Sequence, residues 1–454
     1  MASQFSLTLS LLLSALLLGS CAQKPTSNGE DLSIPKEGLF SRMYEPGSFP
    51  VMQGPTSAKE TVLVVLRPSS QKLKYKVQGF EQRGSKKKPN QWREPKTKTH
   101  SFKFHKEMSL DEVSIVNKGE GPVLSFHILD RKGQKLDTRT FSFLDPDKKS
   151  LKFVVASCMD DRLVDVQKEM WGRVKDQDPE ALFLIGDNVY ADAGVGDPSK
   201  ITMKELERRY IETRQSLDLF RHKKLIPVFS TWDDHDFGQN NGGSDFKLKN
   251  EVSQLFLKFF PVRNYKDFSS SGPGVSSWIQ MKSLDLFLLD DRSFRTKDLH
   301  FGKKQEDWVL KNLNPEKLTL LVSGDQWFGG YHSFESFEGN HKENFESFLA
   351  RIKEKKAKVF FVSGDRHLTE IIKVPPSLLG QTTFELTSSG IHANMYPGAF
   401  KRDPNPNQLV GVDGKLNFAV IELKNEMARQ RTIKVRSLGQ GKKTLFKRTL
   451  KLKP

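Results

Sequence analysis

Residues 230–245 read STWDDHDFGQNNGGSD, with Asp233, Asp234, His235 and Asp236 side by side and a run of glycines and amides behind them. Adjacent carboxylates repel one another. A chain gathers them either in a solvated turn or around cations that neutralise the clustered charge. The residues before the acids, KLIPVF, form a short apolar run of the kind that makes a buried strand. The acids are therefore delivered at the C-terminal end of a strand.

The same pattern recurs along the chain. LKFVVASC, PEALFLIGD, LDLFLLDD, KLTLLVSGD and KVFFVSGDRH are apolar runs that each end in Asp or Cys. Helical patterns lie between them, as in VDVQKEMWGRVKD, MKELERRYIETRQSLDLF and ENFESFLARIKEKK. This alternation predicts an α/β layered architecture in which loops at one sheet edge converge on one site. NFAVIEL, RTIKVRSL and TLFKRTLKL predict further strands that finish a sheet. Upstream, TVLVVL, LKYKVQGF, VLSFHIL and TRTFSF alternate and are rich in β-branched or aromatic residues, which predicts a small antiparallel β-sandwich. SKKKPNQWREPKTKT reads as a long exposed loop. The expected division is a signal peptide over 1–20, a flexible tether over 21–56, a β-sandwich domain over 57–148 and the α/β domain over 149–454.

The chain has 454 residues and a net charge of +17, a basic surplus that favours an anionic partner. That surplus is dispersed, and no zinc-finger spacing or RNA-binding aromatic motif accompanies it, so no specific nucleic-acid motif is present. The G-x-S-x-G pattern of serine hydrolases is also absent. Two cysteines are present, Cys21 and Cys158. Cys21 closes the apolar run LTLSLLLSALLLGSC, which is short for a membrane span and placed like the core of an export signal. Leu18-Gly19-Ser20-Cys21 resembles a bacterial lipobox, which implies lipidation of Cys21, export to the cell envelope and a membrane anchor. No Lys or Arg precedes the run, and an ordinary cleaved signal or an uncleaved anchor is the alternative. With Cys21 lipidated, Cys158 has no disulfide partner and becomes a buried small residue, a ligand or a reactive thiol.

In chain order the strand-end turns are ASCMDDR (156–162), GDNVYAD (186–192), TWDDHDFGQNNGG (231–243), LDDRSFR (289–295), GDQWFGG (324–330) and SGDRHLTE (363–370). GDxxY, WDDHD and GDxH in this order, followed by ELTSSGIH (385–392), resemble the PhoD-like branch of the metallophosphatases. The resemblance covers roughly residues 151–423. It implies a β-sandwich core flanked by helices and hydrolysis of a phosphate ester by metal-bound hydroxide. The chemistry of the residues agrees: paired cations neutralise an anionic ester and acidify a bound water. Hard oxygens suit Ca²⁺ or Mg²⁺, whereas thiolate, phenolate and imidazole suit iron.

The resemblance implies Fe³⁺ with Ca²⁺, or with Mg²⁺, Mn²⁺ or Zn²⁺ as the second metal. Cys158, Asp187, Tyr190, Asp233, Asp234, Asp365 and His367 are the implied ligands. Asp187 bridges, and of the adjacent pair Asp234 is the favoured ligand. His235 takes the place of a residue that protonates the leaving group. Asp365 and His367, one residue apart on an extended segment, would point the same way. Arg292 is expected to fork onto phosphate oxygens, with Arg295 and Arg263 as further substrate contacts. Asp236 is expected to position the loop, and His392, Asp160, Asp161 and Asn241 fall near the site. Phe237 and Asn241 depart from the Tyr and Asp of the related motif, and Asp325-Gln326-Trp327 lacks the histidine that purple acid phosphatases place there. The leading expectation is an exported, lipid-anchored monomeric phosphatase or phosphodiesterase. A surface lipoprotein that only binds, and a nuclease, are the alternatives.

Overall fold

The computed structural model describes residues 48–79, 95–104, 107–118, 123–145, 147–195, 197, 200–424 and 431–453. The expected signal peptide, Cys21 and most of the expected tether lie outside them.

Seven strands form the N-terminal part: β1 (Val51–Thr56), β2 (Glu60–Pro68), β3 (Lys74–Gly79), β4 (Lys96–Phe104), β5 (Met108–Val116), β6 (Val123–Leu129) and β7 (Lys135–Ser142). They make two antiparallel sheets, ordered β1-β2-β5-β4 and β3-β6-β7. Alternation places Leu63, Val65, Val113 and Ile115 of one sheet against Val77, Leu124, Phe126 and Ile128 of the other. Two expectations shift here. Val51–Thr56, expected as tether, is a strand paired with β2. Its Gly54 and Pro55 disguised it; a Cβ at position 54 would stand 2.9 Å from Val62 Cγ1, so glycine is what lets the two strands close. Lys96–Phe104, whose first residues were expected in a loop, is an edge strand. Residues 96–101 are exposed on both faces, so its sequence carries no alternation to read.

The remaining strands are β8 (Ser150–Ala156), β9 (Ala181–Ile185), β10 (Val228–Thr231), β11 (Ser269–Ser271), β12 (Ser277–Gln280), β13 (Leu284–Leu288), β14 (Leu318–Val322), β15 (Lys358–Ser363), β16 (Thr369–Val374), β17 (Thr383–Ser388), β18 (Gln408–Val412), β19 (Asn417–Lys424), β20 (Arg431–Gly439) and β21 (Thr444–Leu452). They form a six-stranded sheet, β10-β9-β8-β19-β20-β21, and an eight-stranded sheet, β11-β12-β13-β14-β15-β17-β16-β18. The sheets pack face to face through Phe153, Val155 and Ile185 on one side and Leu286, Leu320, Val322 and Val362 on the other. Helices cover both outer faces. Trp171 and Val174 of helix Val164–Asp176 and Tyr210 of helix Met203–Ser216 cover the first. Phe345, Phe348 and Leu349 of helix Lys342–Glu354 cover the second.

β8, β9 and β10 run parallel, as do β13, β14 and β15. Strands buried on both faces read as continuous apolar runs, which is why they were legible. Their common direction brings all six acid- or cysteine-bearing ends to one edge of the sandwich.

The N-terminal sheets are fastened to this core by buried polar contacts. Arg139 of β7 is fully buried, pairs with Asp137 at 2.7 Å, and donates to His222 O at 2.9 Å and Phe49 O at 2.7 Å. Removing one partner of a buried ion pair strands the other. Arg139→Ala is expected to lower unfolding free energy by about 3 kcal/mol, measured by chemical denaturation.

Candidate metal and phosphate site

Tight glycines let the strand ends converge. A Cβ at Gly324 would lie 2.6 Å from Trp232 O and 2.7 Å from Asp233 Cβ, and one at Gly186 would lie 2.7 Å from Asp233 Cβ. Asp236 then ties two of the turns together. Its carboxylate accepts from Asp233 N at 3.0 Å and Val189 N at 2.9 Å. Burial pushes this carboxyl up to about 8. Asp236 therefore positions the loop, as expected. Trp232 anchors the same turn from behind, donating Nε1–H to Asp290 at 2.8 Å while packing against Phe237 and Phe256.

Seven of the expected side chains come together. Ligand atoms of Cys158, Asp187 and His367 lie within 4.8 Å of one another, as do those of Asp187, Asp234 and His235, and those of Asp233, Asp234 and Asp365. Asp187 is thus shared by two groups and Asp234 by two. Tyr190 joins the first group, with its hydroxyl 3.2 Å from His367 Nε2 and its ring stacked on His235 at 4.4 Å.

The backbone route differs from the expected extended segment. Asp365 and His367 have φ of 59° and 50°, so a left-handed turn, and not a strand, aims them. Cys158 and Asp187 share this conformation, with φ of 55° and 51°. A non-glycine residue held there costs about 1 kcal/mol or more. Four strained positions at one cluster mark a place where geometry is imposed by the surrounding fold.

The charges are those of a site built for cations. Burial drives Asp187 and Asp233 well above the usual carboxylate range, and drives Asp365 up to about 6. Burial pushes Asp234 the same way, but the charges of His235 and Arg292 and N–H bonds from Asn241 and His235 outweigh it and hold Asp234 at about 2. Desolvation would lower His235, yet Asp234, Asp192 and Asp187 overcome it and raise this imidazole well above 6.5. Desolvation raises the Cys158 thiol, and the nearby Asp187 adds to it.

Asp187 Oδ1 and Asp233 Oδ2 are buried with no hydrogen-bond partner, a costly state unless a cation meets them. His367 Nδ1 sits 2.6 Å from Asn394 O. A ring N–H donated to a backbone carbonyl is how metal-binding histidines present the opposite nitrogen. Cys158 Sγ lies 3.4 Å from Asp187 Oδ2 and 3.0 Å from Ser389 Oγ. Sulfur, phenol and imidazole beside Asp187, and the carboxylates Asp233, Asp234 and Asp365 reached through Asp234, are donor sets that suit two different cations.

The arginines behave differently from expectation. Arg292 is fully buried; its Nε donates to Asp233 at 2.7 Å and its Nη1 to Glu335 at 2.8 Å. Arg295 donates to Asp325 at 2.8 Å and also pairs with Glu335. Both guanidinium groups are occupied by carboxylates, so in this structure they hold acids in place instead of presenting a fork to an incoming phosphate. Arg263 lies elsewhere, paired with Glu112 of the N-terminal part at 2.5 Å. His392 is structural, accepting from Trp171 Nε1 at 2.9 Å and bonded to Asp160 O. Asp161 binds Arg209, and the Asn241 backbone N–H donates to Asp234 at 2.7 Å.

Two contributors were not foreseen. Asp192 holds His235 Nδ1 at 2.8 Å and so orients the imidazole. Ser389 accepts from the backbone of His367 at 2.8 Å while contacting Cys158. Asp192 closes the GDNVYAD turn and Ser389 lies in ELTSSGIH, so both were inside noted motifs. Their roles depend on contacts across the chain.

A β-sandwich with helices on both faces and clustered acid, thiol and imidazole groups at one edge defines the class: a phosphoric ester hydrolase. The model of the PhoD-like phosphatase family matches residues 153–428, and the chain belongs to that family. A solved structure described as "Structure of PhoD" shares the fold at a TM-score of 0.63 and 14% identity, with 90% of each chain covered. No curated protein sequence matches the chain. The family is metal-dependent, in keeping with the orphaned carboxylate oxygens.

Asp187→Ala is expected to remove metal from both sides of the cluster. Elemental analysis of natively purified protein should show metal per chain falling by more than half relative to the parent.

Proposed function

We propose that this chain hydrolyses phosphate mono- or diesters at the strand-end cluster, with iron held by Cys158, Tyr190, Asp187 and His367 and a harder cation such as Ca²⁺ held by Asp187, Asp233, Asp234 and Asp365. Bound cations would neutralise the ester and acidify the attacking water. The observation that supports the reading is the chain of shared acids: Asp187 belongs both to the group with Cys158 and His367 and to the group with Asp234 and His235, Asp234 joins the latter to Asp233 and Asp365, and one Asp187 oxygen is left unpartnered. A core built only for packing has no use for such an atom.

The protein groups supply orientation and a proton. Arg292 fixes Asp233, whose other oxygen faces no donor. Asp192 fixes His235. Asp192, held against Nδ1, favours the protonated ring. During hydrolysis the water oxygen bonds to phosphorus and releases one proton to solvent, the ester P–O bond breaks, and His235 gives its proton to the departing oxygen and regains one from solvent. The products are an alcohol and phosphate, or an alcohol and a monoester.

No helix among the described residues is long and apolar enough to cross a membrane. Export and a lipid anchor at Cys21 rest on the apolar N-terminal run and its lipobox-like end. Labelled palmitate should enter the wild-type chain and fail to enter Cys21→Ser.

Purified protein should hydrolyse p-nitrophenyl phosphate or its bis-ester, and a chelator should abolish the activity. His235→Asn is expected to lower kcat by about 10²–10⁴-fold with metal content unchanged. Turnover indifferent to both chelator and His235→Asn would sink the proposal.

A further inference from the structure

The arginines expected to grip substrate are already spent on carboxylates, which leaves the substrate's negative charge without a protein partner. One guanidinium near the cluster is differently placed. Arg366 sits between Asp365 and His367, which belong to different ligand groups. It is 9% exposed, and its Nε is buried with no hydrogen-bond partner. Among the described residues no carboxylate pairs with it. Its guanidinium instead lies over the ring of Phe334, 4.4 Å from the centroid.

A buried cation without an acid is costly and is expected to recruit an anion. The surroundings point to where that anion comes from. Phe334 is 38% exposed, and Tyr396, stacked on His367 at 5.4 Å, is 40% exposed. These exposed rings place Arg366 and His367 at the open rim of the cluster. Glu335, beside Phe334, is engaged by Arg292 and Arg295 and is not paired with Arg366. Stacking on an aromatic face holds a guanidinium flat and leaves its edge N–H groups free for a bidentate acceptor.

We infer that Arg366, steadied by Phe334, is the residue that binds the anionic oxygens of the phosphate ester, the task expected of Arg292 and Arg295. The inference rests on the hydrolase reading for its substrate, but the binding it describes can be measured without turnover. Arg366 is a specificity-determining contact: with one unshared oxygen turned toward the strand-end cluster, a monoester, which has three, still offers two to the fork, whereas a diester, which has two, offers only one.

The test uses the metal-loaded full chain with inorganic phosphate as probe. Calorimetric phosphate affinity, KM and kcat for p-nitrophenyl phosphate and its bis-ester, metal content and melting temperature are read for Arg366→Ala, Arg366→Lys and Phe334→Ala. Arg366→Ala is expected to weaken phosphate binding and raise monoester KM by about tenfold or more. It should raise diester KM less, with kcat and metal content close to the parent. Arg366→Lys should recover only part of the loss, and Phe334→Ala should show a smaller loss in the same direction. Unchanged phosphate affinity and KM in Arg366→Ala, or equal losses for both esters, would overturn the inference. If Arg366→Ala fails to fold, Arg366→Lys decides, since parental phosphate affinity there denies the fork. If the parent turns over neither ester, the hydrolase reading fails. The calorimetric comparison still tests Arg366, with a loss of phosphate affinity supporting the contact and no loss overturning it.

Discussion

Negative charge buried in quantity, at one edge of a close-packed sandwich, is the constraint on which the rest of this structure depends. Asp187, Asp233, Asp234 and Asp236 are withdrawn from water and Asp365 is partly so, and most are pushed out of the ordinary carboxylate range by burial and by one another. Such an arrangement is unfavourable unless each carboxylate meets N–H donors, a guanidinium or a cation. Asp236 takes the first solution and Asp233 half of the second. Asp187 Oδ1 and Asp233 Oδ2 are left for the third.

The fold supplies the rigidity this demands. Parallel strands from two sheets end at the same edge, and glycines at the turns allow those ends to approach within contact of Asp233. Cys158, Asp187, Asp365 and His367 then sit in left-handed backbone, a conformation the apolar layers on either side must impose. Among the described residues the N-terminal β-sandwich adds no side chain to the cluster. It is locked to the α/β part through Arg139 and, further along, through Glu112, which pairs with Arg263, a residue expected at the site from the sequence.

A division among the arginines follows from the same charge balance. A guanidinium next to several buried acids is captured by them, and Arg292 and Arg295 are so captured. Arg366 instead lies over the Phe334 ring, and no carboxylate among the described residues forms an ion pair with it. That distinction depends on what surrounds each arginine in space, because all three stand in turns of similar composition.

The sequence by itself determined the buried parallel strands, the order of the turns and the types of side chain at their ends. Strands buried on both faces must be continuously apolar, and an acid or cysteine at their ends breaks that run visibly. It could not determine β1 or β4, where a glycine-proline pair and a doubly exposed edge erase the alternation that marks a strand. Nor could it assign partners. Asp192 on His235, Ser389 between Cys158 and His367, and Glu335 between two arginines are contacts across tens or hundreds of residues. Periodicity reports which way a side chain faces along its own element. Which charge it meets there is decided when separate strand ends are packed against one another.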